Sequence, residues 1–386
     1  MTAALDGITV LDLSTVGPAA RCTRILADYG ARVVKLGAPA KSGVNTEPPF
    51  FAYSAGRGMR RMRLDLKQPE GVAVFLRLAT RADVVVESFR PGVVTRLGIG
   101  YADVRRHNPR IVYCSTSGYG QQGPRARWAG HDLNYLAVSG YLDCSGRRAD
   151  GGPPLPGATV ADGAAGGMHA AIAILAALLR RGQSGEGEYL DVAVADGALS
   201  LMALAVDEHL ATGEPFGPGH DILTGRYACY DTYAARDGRW LAVAAIEPAF
   251  WANLCKALGL ERWIAHQTDD ARQDEIRADL RAAFRTRDRD SWVAELAPND
   301  TCVAPVQSVA EAAGDPQFGA RAMFCDAQHP QRGRLRQVAP ALAGMARPER
   351  APVLPAPGVT ETDSLLAEAG YAPAEIASLR TSGAVA

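Results

Sequence analysis

Short apolar strands alternate with helical segments in the first half of the chain, and this alternation constrains the fold most. Strands are predicted at residues 8–13, 32–36, 83–87, 110–115 and 187–194. Predicted helices at 19–29 and 69–81 separate the first three of them. Repeated strand–helix–strand units are typical of a doubly wound α/β fold with a parallel, Rossmann-like sheet, whose ligands bind beyond the carboxyl ends of the strands.

Loops that follow predicted strands are therefore the first places to look for binding residues. SFRPG at 88–92 and SGYGQQGP at 117–124 both occupy such positions. The first strand is followed by STVGP at 14–18, which lacks the glycine-rich dinucleotide fingerprint. The sequence thus favours a crevice at the strand ends but gives no support for NAD.

A second, smaller α+β domain is predicted in the C-terminal half. The stretch GEPFGPGHDILTGR, residues 213–226, has the glycine and proline content of a linker, and a hairpin follows it around Asp237 and Gly238. We predict a large domain over 1–200 that is completed by 326–386. A linker at 201–224 and a small domain at 225–325 are predicted between these segments.

Composition excludes several classes of protein. The 386-residue chain has a formal net charge of −1, with no block of basic residues that would favour nucleic acid or a membrane surface. Seven cysteines without a CxxC pair favour reduced thiols, and the N-terminus lacks the pattern of a signal peptide. The apolar segment 163–179 contains His169 and is expected to be a core helix. A cytoplasmic location is expected.

The segment GHDLNYLAVSG, residues 130–140, places His131 and Asp132 at the start of a predicted helix. Free N–H groups at such a start can hold an oxyanion, and His131 could serve there as a base. The alternative is that Asp132 is only a capping residue beside a hydrogen-bonded histidine.

Two more carboxylates lie at predicted helix starts. Asp162 is followed by Gly163, Gly166 and Gly167, which leave room either for a ligand or for close helix packing. Glu247 follows a predicted hairpin strand, where an acidic residue in a first helical turn is common. The segment 56–71 is rich in basic residues and is either a solvated face or a phosphate site.

The chain resembles the family III CoA transferases nearly from end to end, and within them most closely the α-methylacyl-CoA racemases. The matching stretches, in chain order, include GITVLDLSTVGPAARCTRILADYGARVVKL, RLDLKQPEG, VVVESFRPGVVTRLGIGY, IVYCSTSGYGQQGP, GHDLNYLAVSG, ATVADGAAGGMHAAIAILAAL, GEYLDVAVADG and YDTYAARDGRWLAVAAIEPAFW. GHD at 130–132 and AIEP at 245–248 resemble the racemases, whereas the transferases share the Asp162 region but lack the histidine. The resemblance implies an interlocked homodimer with an acyl-CoA substrate.

The racemase resemblance implies inversion of the 2-methyl stereocentre of a 2-methylacyl-CoA by 1,1-proton transfer through an enolate. His131 and Asp162 would be the two bases, and Glu247 would hold the histidine. Such a reaction needs two groups on opposite faces of one carbon and N–H donors for the enolate oxygen, for which the backbone near Asp132 is the candidate. No metal and no redox cofactor are implied, because CoA enters as part of the substrate.

The same resemblance implies a binding surface for CoA. The residues implied are Leu64, Asp65, Leu66, Lys67, Ser88, Phe89, Arg90, Arg96, Gly130, Asn134 and Tyr135. Three positions depart from the family pattern: Ala38 stands where the family has an arginine for the 3′-phosphate, Gly56 where it has Asn, and Met59 where it has Lys. Either Lys41, Arg60 or Arg61 substitutes for that arginine, or the acyl carrier is a protein-bound pantetheine arm.

Three hypotheses of function remain at this stage. The first is the racemase or epimerase. The second is a CoA transferase in which Asp162 attacks the thioester as nucleophile. The third is a non-catalytic or repurposed thioester-binding protein, which the departures at Ala38 and Met59 suggest.

Overall fold

The computed structural model describes residues 3–39, 49–341, 352–356 and 358–386. Its strands are β1 (Thr9–Asp12), β2 (Arg32–Gly37), β3 (Arg60–Arg63), β4 (Val84–Glu87), β5 (Val112–Ser117), β6 (Glu188–Ala193), β7 (Tyr230–Ala234), β8 (Trp240–Ala244), β9 (Val303–Pro305), β10 (Phe324–His329) and β11 (Gly333–Val338). Its α-helices are α1 (Gly17–Asp28), α2 (Pro69–Ala79), α3 (Val93–Leu97), α4 (Tyr101–His107), α5 (Asp132–Val138), α6 (Tyr141–Cys144), α7 (His169–Ser184), α8 (Val194–Leu201), α9 (Ala203–Thr212), α10 (Pro248–Ala257), α11 (Gln273–Phe284), α12 (Arg289–Leu296), α13 (Val309–Gly314), α14 (Pro316–Ala320), α15 (Thr362–Glu368) and α16 (Pro373–Thr381). A π-helix spans Ala161–Met168, and 3₁₀ turns span Ala52–Gly56, Ile222–Thr224, Glu261–His266, Asp270–Arg272 and Ala297–Asn299.

The central sheet has six strands in the order β3-β2-β1-β4-β5-β6. Neighbouring strands are all parallel, and Leu11 of β1 pairs with Val34 on one side and Val85 on the other. Val10, Val84 and Val112 are fully buried, as expected for strands covered by helices on both faces. The order reverses between β1 and β4, so the carboxyl ends of these two strands open the crevice. The prediction of a doubly wound parallel sheet is confirmed.

The sheet has one strand that the sequence did not predict, because β3 lies within the basic segment 56–71. Arg57 is buried and donates to Asp28 and to the backbone carbonyl of Val338. Arg60 pairs with Glu361 and Glu368. These two arginines therefore have a structural role. Neither of the two alternatives given for the segment 56–71, a solvated face or a phosphate site, applies to them.

The C-terminal helices pack against the same sheet. Leu365 and Leu366 of α15 are buried in one core cluster with Leu11, Val34 and Val85. A bridge between Leu64 and Val385 ties the last residues to the end of β3.

The described chain divides into two compact units. The larger comprises the described residues of Met1–Ser139, Pro156–Ala203 and Gly319–Ala386, and the smaller comprises Gly140–Leu155 and Leu204–Phe318. The smaller unit contains the antiparallel sheet β7-β8-β9. Its core holds Trp251, Phe284 and other large buried side chains. The stretch 201–224, predicted as a linker, contains helix α9, and residues 140–155 cluster with the smaller unit.

The π-helix and α7 form a continuous stretch, Ala161–Ser184, that is the one described segment long and apolar enough to cross a membrane by length and composition (mean hydropathy 1.5). Ala165, Ala170 and Ile174 are fully buried, whereas Ile172 and Leu179 are exposed. The predicted core helix is thus present, with one side packed in the larger unit and one side open.

Candidate active site

Asp162 lies in the first turn of the π-helix Ala161–Met168. The long helix predicted from near Asp162 exists, but its first two turns are wider than an α-helix. Short π-helical segments are frequent at functional sites. The position of Asp162 at the start of such a segment is thus consistent with a functional role.

The glycines after Asp162 serve two different purposes. A Cβ atom on Gly166 would lie 2.5 Å from Cβ of Pro18, and one on Gly167 would lie 2.8 Å from Cβ of Arg21. These two glycines allow the π-helix to pack closely on α1. A Cβ on Gly163 would meet nothing within 4 Å. The space beside Asp162 at Gly163 is therefore open. Both alternatives apply, because Gly166 and Gly167 allow close helix packing and Gly163 leaves room for a ligand.

Helix α5 begins next to this open space. Its N-terminal cap residue is His131, whose backbone N–H donates to Oδ1 of Asn134 at 3.0 Å. Oδ1 of Asp132 accepts a hydrogen bond of 2.8 Å from the backbone N–H of Asp162. The prediction that Asp132 caps its own helix is wrong, because its carboxylate instead satisfies an N–H at the start of the π-helix. This bond ties the two segments that carry His131 and Asp162.

The electrostatics of Asp162 reflect that arrangement. Burial raises the pKa of this half-buried carboxyl, and the negative charge of Asp132 raises it further. The positive charges of Arg21 and His131 act on the same carboxyl and lower its pKa, although the net shift is upward. His131 itself is exposed. The structure thus brings Asp162, with its raised pKa, to the start of the helix that has Asp132 in its first turn and His131 as its cap residue.

Tyr135 forms the wall behind these residues. It is buried, its hydroxyl donates to the carbonyl of Gly130 at 2.6 Å, and its ring lies 5.2 Å from that of Tyr119. Burial, with the negative charge of Asp162 next in size, raises the pKa of Tyr135 to about 12. Tyr135 therefore stays protonated, and it packs so closely that a Cβ on Gly118 would lie 2.5 Å from its ring.

The turn STVGP contributes a third side of the site, which sequence reasoning missed. Asp12, fully buried at the end of β1, accepts bonds from the backbone N–H and hydroxyl of Ser14, from Thr23 and from Lys35. This network fixes the turn. A Cβ on Gly17 would lie 3.9 Å from Oδ2 of Asp162. The sequence did contain one signal for this side of the site: STVGP follows the first predicted strand, and turns after strands at the centre of such a sheet border the ligand crevice.

Tyr53 and Arg21 extend that side. The backbone N–H of Gly17 donates to the Tyr53 hydroxyl at 3.0 Å, and the guanidinium carbon of Arg21 lies 5.4 Å from the centre of the Tyr53 ring. Tyr53 and Ser54 both have positive φ angles, of 49° and 55°, which side chains other than glycine adopt at a cost. Such strain in consecutive residues is typical of a functional position.

The residues implied for CoA occupy several places in the larger unit. Ser88 and Arg90 are exposed after β4, and Arg96 lies close to Gly92 at the end of the same loop. Lys67 is exposed, whereas Leu64 is buried and its N–H donates to the carbonyl of Gly37. The structure tests no contact with CoA, and these assignments stay predictions. The Leu64 side chain belongs to the core in any case.

Asp65, Leu66, Phe89, Gly130 and Asn134 complete the set implied for CoA. The Asp65 carboxylate accepts bonds from the backbone N–H of Lys67 and the side chain of Gln68. Leu66 and Phe89 are partly buried against the core. Gly130 and Asn134 lie beside His131, where Gly130 accepts from Tyr135 and Asn134 accepts from the His131 N–H.

A cavity of about 190 Å³ opens at the carboxyl ends of β1, β2 and β3. Its lining combines basic side chains with aromatic and apolar ones: Lys35, Arg61, Arg63 and His329, with Phe50, Tyr53, Met59 and Met62. Of the three residues suggested to replace the missing arginine, Arg61 lines this cavity, Arg60 is bound to acidic side chains, and Lys41 lies outside the described residues. The cavity therefore offers positive charge near Ala38 from other positions.

Glu247 belongs to the smaller unit, where it is the N-terminal cap residue of α10 without a side-chain capping bond. Its negative charge raises the pKa of the Cys302 thiol, after desolvation by burial as the larger cause. The predicted contact with His131 stays a prediction.

A doubly wound sheet with polar residues at its carboxyl ends, together with a match of CoA-transferase family III over residues 5–361, defines the class of protein. The chain belongs to CoA-transferase family III. It is 37% identical over 309 residues to α-methylacyl-CoA racemase of Homo sapiens, which covers 80% of this chain and 79% of the racemase. Succinyl-CoA:mesaconate CoA-transferase of Haloarcula hispanica is 33% identical over 349 residues, 85% of this chain and 86% of the transferase.

A solved structure shares the whole architecture. The CAIB/BAIF family protein from Brucella suis is 29% identical and superposes with a TM-score of 0.78, covering 96% of this chain and all of that protein. The mixed α/β fold with its two kinds of sheet is thus a property of the family. Racemases and transferases are both among the relatives, so the particular reaction depends on the site.

Proposed function

We propose that this protein is a racemase or epimerase that inverts the 2-methyl stereocentre of a 2-methylacyl-CoA by 1,1-proton transfer. The observation that carries the proposal is the hydrogen bond between the Asp132 carboxylate and the Asp162 N–H, because it ties the helix start that bears His131 to the segment that bears Asp162. One group removes the proton at C2, which leaves a planar enolate, and the other delivers a proton to the opposite face. The 37% identity to a racemase supports the same reaction.

The other parts of the proposed machinery follow from this step. The enolate oxygen is held by backbone N–H groups at the start of α5, near Asp132. For Glu247 we keep the role that the family resemblance implies, which is that of the carboxylate that holds the catalytic histidine. The reaction as proposed uses only side chains and backbone of the protein, without a metal or redox cofactor. CoA is part of the substrate.

Deuterium exchange tests the proposal. In deuterated water a 2-methylacyl-CoA gains one deuterium at C2 when no acceptor acid is present, and mass spectrometry follows the label. His131→Ala and Asp162→Asn are expected to lower exchange by about a hundredfold or more, because each removes one proton-transfer group. The exposed His107 and Asp150 provide the matched controls His107→Ala and Asp150→Asn, which should exchange normally. Absence of exchange in the wild-type protein overturns the proposal.

A second candidate is CoA transfer, which the transferase relatives and the open space at Gly163 favour. Asp162 would attack the thioester, form a mixed anhydride and release CoA thiolate, which would then attack the anhydride to give an enzyme-bound CoA thioester and a free acid. Intact-mass measurement after incubation with acyl-CoA detects this intermediate. His131→Ala separates the two reactions, since it should lower exchange at C2 by about a hundredfold or more and leave transfer intact.

The basic and aromatic lining of the cavity supports CoA itself as the carrier. Guanidinium groups pair with phosphate through two hydrogen bonds, and a purine stacks on aromatic rings. Arg61 and Arg63 supply the guanidinium groups here. A thioester of CoA without the 3′-phosphate should therefore turn over more slowly than the normal thioester. Equal rates would contradict an arginine substitute and favour a protein-bound pantetheine arm.

A further inference from the structure

Arg21 is the one cationic side chain of α1 whose charge acts on Asp162 among the described residues. Helix α1 lies directly on the π-helix, since Cβ atoms on Gly166 and Gly167 would collide with Pro18 and with Arg21. The position of the Arg21 backbone is therefore fixed relative to Asp162 by glycine packing rather than by a flexible loop.

The guanidinium of Arg21 is held at two further points. It donates to Oγ1 of Thr159, three residues before Asp162, and it stacks over the ring of Tyr53. The Tyr53 hydroxyl in turn accepts from the N–H of Gly17, which borders the Asp162 carboxylate. The Nε atom of Arg21 is buried and has no hydrogen-bond partner within the described part of the chain.

We propose that Arg21 is a positioning residue that places a fixed positive charge beside Asp162 and so offsets the negative charge of Asp132. This inference rests on the proposed role of Asp162 as an acid–base group. Without that charge the carboxyl would face Asp132 in a partly desolvated site and would hold its proton to a higher pH. Fewer molecules would then carry the carboxylate that removes the proton at C2.

Other groups around Asp162 need to be distinguished from Arg21. His131, Asp132 and Tyr135 face it from α5 and its cap, and Tyr53 approaches through Gly17. On α8, which also packs on the π-helix, the titratable Asp196 has Asp191 as its charge neighbour. Arg21 alone of these is a permanent cation, so its effect on Asp162 persists at every pH at which the protein functions.

Titration of Asp162 tests the inference apart from any activity. The protein is labelled with ¹³C at the aspartate carboxyls, and the Asp162 signal is identified by its loss in Asp162→Asn. Arg21→Gln is expected to shift the titration midpoint of Asp162 to a higher pH than in the wild type. Arg21→Lys keeps the charge but loses the planar guanidinium, so its midpoint should lie between those of the wild type and Arg21→Gln. An unchanged midpoint in Arg21→Gln, or equal midpoints for the Gln and Lys variants, overturns the inference.

Thr159→Val provides a second route if Arg21→Gln does not fold. It removes the anchor of the guanidinium and should also shift the midpoint upward, and an unchanged midpoint again overturns the inference. In a plot of the exchange rate against pH, the fall in rate on the acidic side should move to higher pH in these variants together with the Asp162 midpoint. A moved midpoint supports the role of Arg21 whether or not this fall in rate follows, and a fall in rate that does not follow counts against the proposed function alone.

Discussion

At the scale of single residues, the three glycines of the π-helix have different surroundings: two pack against α1, and one borders the candidate site. Gly166 is enclosed by Pro18 and Val194, whereas Gly163 faces open space next to Asp162. The same substitution to alanine therefore has different consequences at two positions three residues apart.

Gly166→Ala is expected to destabilise the protein by about 1–3 kcal/mol, because the added methyl overpacks the contact with α1. Gly163→Ala should keep or raise stability by about 0.5–1 kcal/mol, since alanine favours a helix over glycine. Its methyl would fill space at the carboxyl, and we expect kcat/KM to fall about tenfold or more. Urea unfolding and exchange kinetics on both variants measure the two effects. Equal stabilities for both variants would contradict the packing account.

Residues that the sequence could identify are those whose local pattern already suggests a role. His131, Asp132 and Asp162 each stand at a predicted helix start, and the structure places all three together. Arg21 and Tyr53 carry no such pattern, because their relation to Asp162 arises from packing between segments far apart in the chain. Only the folded structure shows that relation.

At the scale of elements, strand β4 ends in a buried carboxyl that the proposed mechanism does not use. Glu87 accepts a bond from the backbone N–H of Phe89 and bonds to Ser115, so it holds the loop 88–92 at the crevice. Burial raises the pKa of Glu87 to about 7. Between about pH 4.5 and pH 7, Glu87 therefore keeps a proton in the folded state that it has already released in the unfolded state.

The pH dependence of stability follows from this difference. Because the pKa is higher in the folded state, the contribution of Glu87 favours folding at low pH and is lost as the pH rises toward 7. Glu87→Gln removes this dependence and keeps an acceptor for the Phe89 N–H. Relative to wild type, the variant should gain roughly 2–3 kcal/mol of unfolding free energy between about pH 5 and pH 8.

Urea unfolding at several pH values measures that gain. The exposed Glu70→Gln in α2 is the control, and it should show no comparable gain. A stability profile of Glu87→Gln that runs parallel to that of the wild type would contradict a raised pKa of Glu87 in the folded protein.

The elements themselves were predictable to different degrees for physical reasons. Strands β1 and β4 are centred on the short apolar runs at residues 10–11 and 84–86, which burial on both faces favours. Strand β3 reads RRMR, and its first arginine, Arg60, pairs with Glu361, which is 301 positions later in the chain. Its pairing with β2 therefore could not be seen in local sequence.

At the scale of the whole molecule, the continuous helical stretch Ala161–Ser184 presents apolar side chains on the surface of the larger unit. Met168 is 55% exposed, Ile172 61% and Leu179 76%. A run of large apolar side chains along one helix is typical of a surface that another protein covers. The family resemblance implies a homodimer, and we therefore expect a second copy of this chain to cover this face.

The mass in solution tests that arrangement. Sedimentation should give twice the chain mass of 40.8 kDa for the wild-type protein. Introducing charge with the double variant Ile172→Glu and Leu179→Glu should weaken association by about a hundredfold or more, because each buried carboxylate would lose its hydration without a partner. Val359→Glu, at another exposed apolar position of the larger unit, is the control and should leave the dimer intact. A monomeric wild-type protein at micromolar concentration, or a double variant that dimerises normally, would show that the exposed face of α7 has another role.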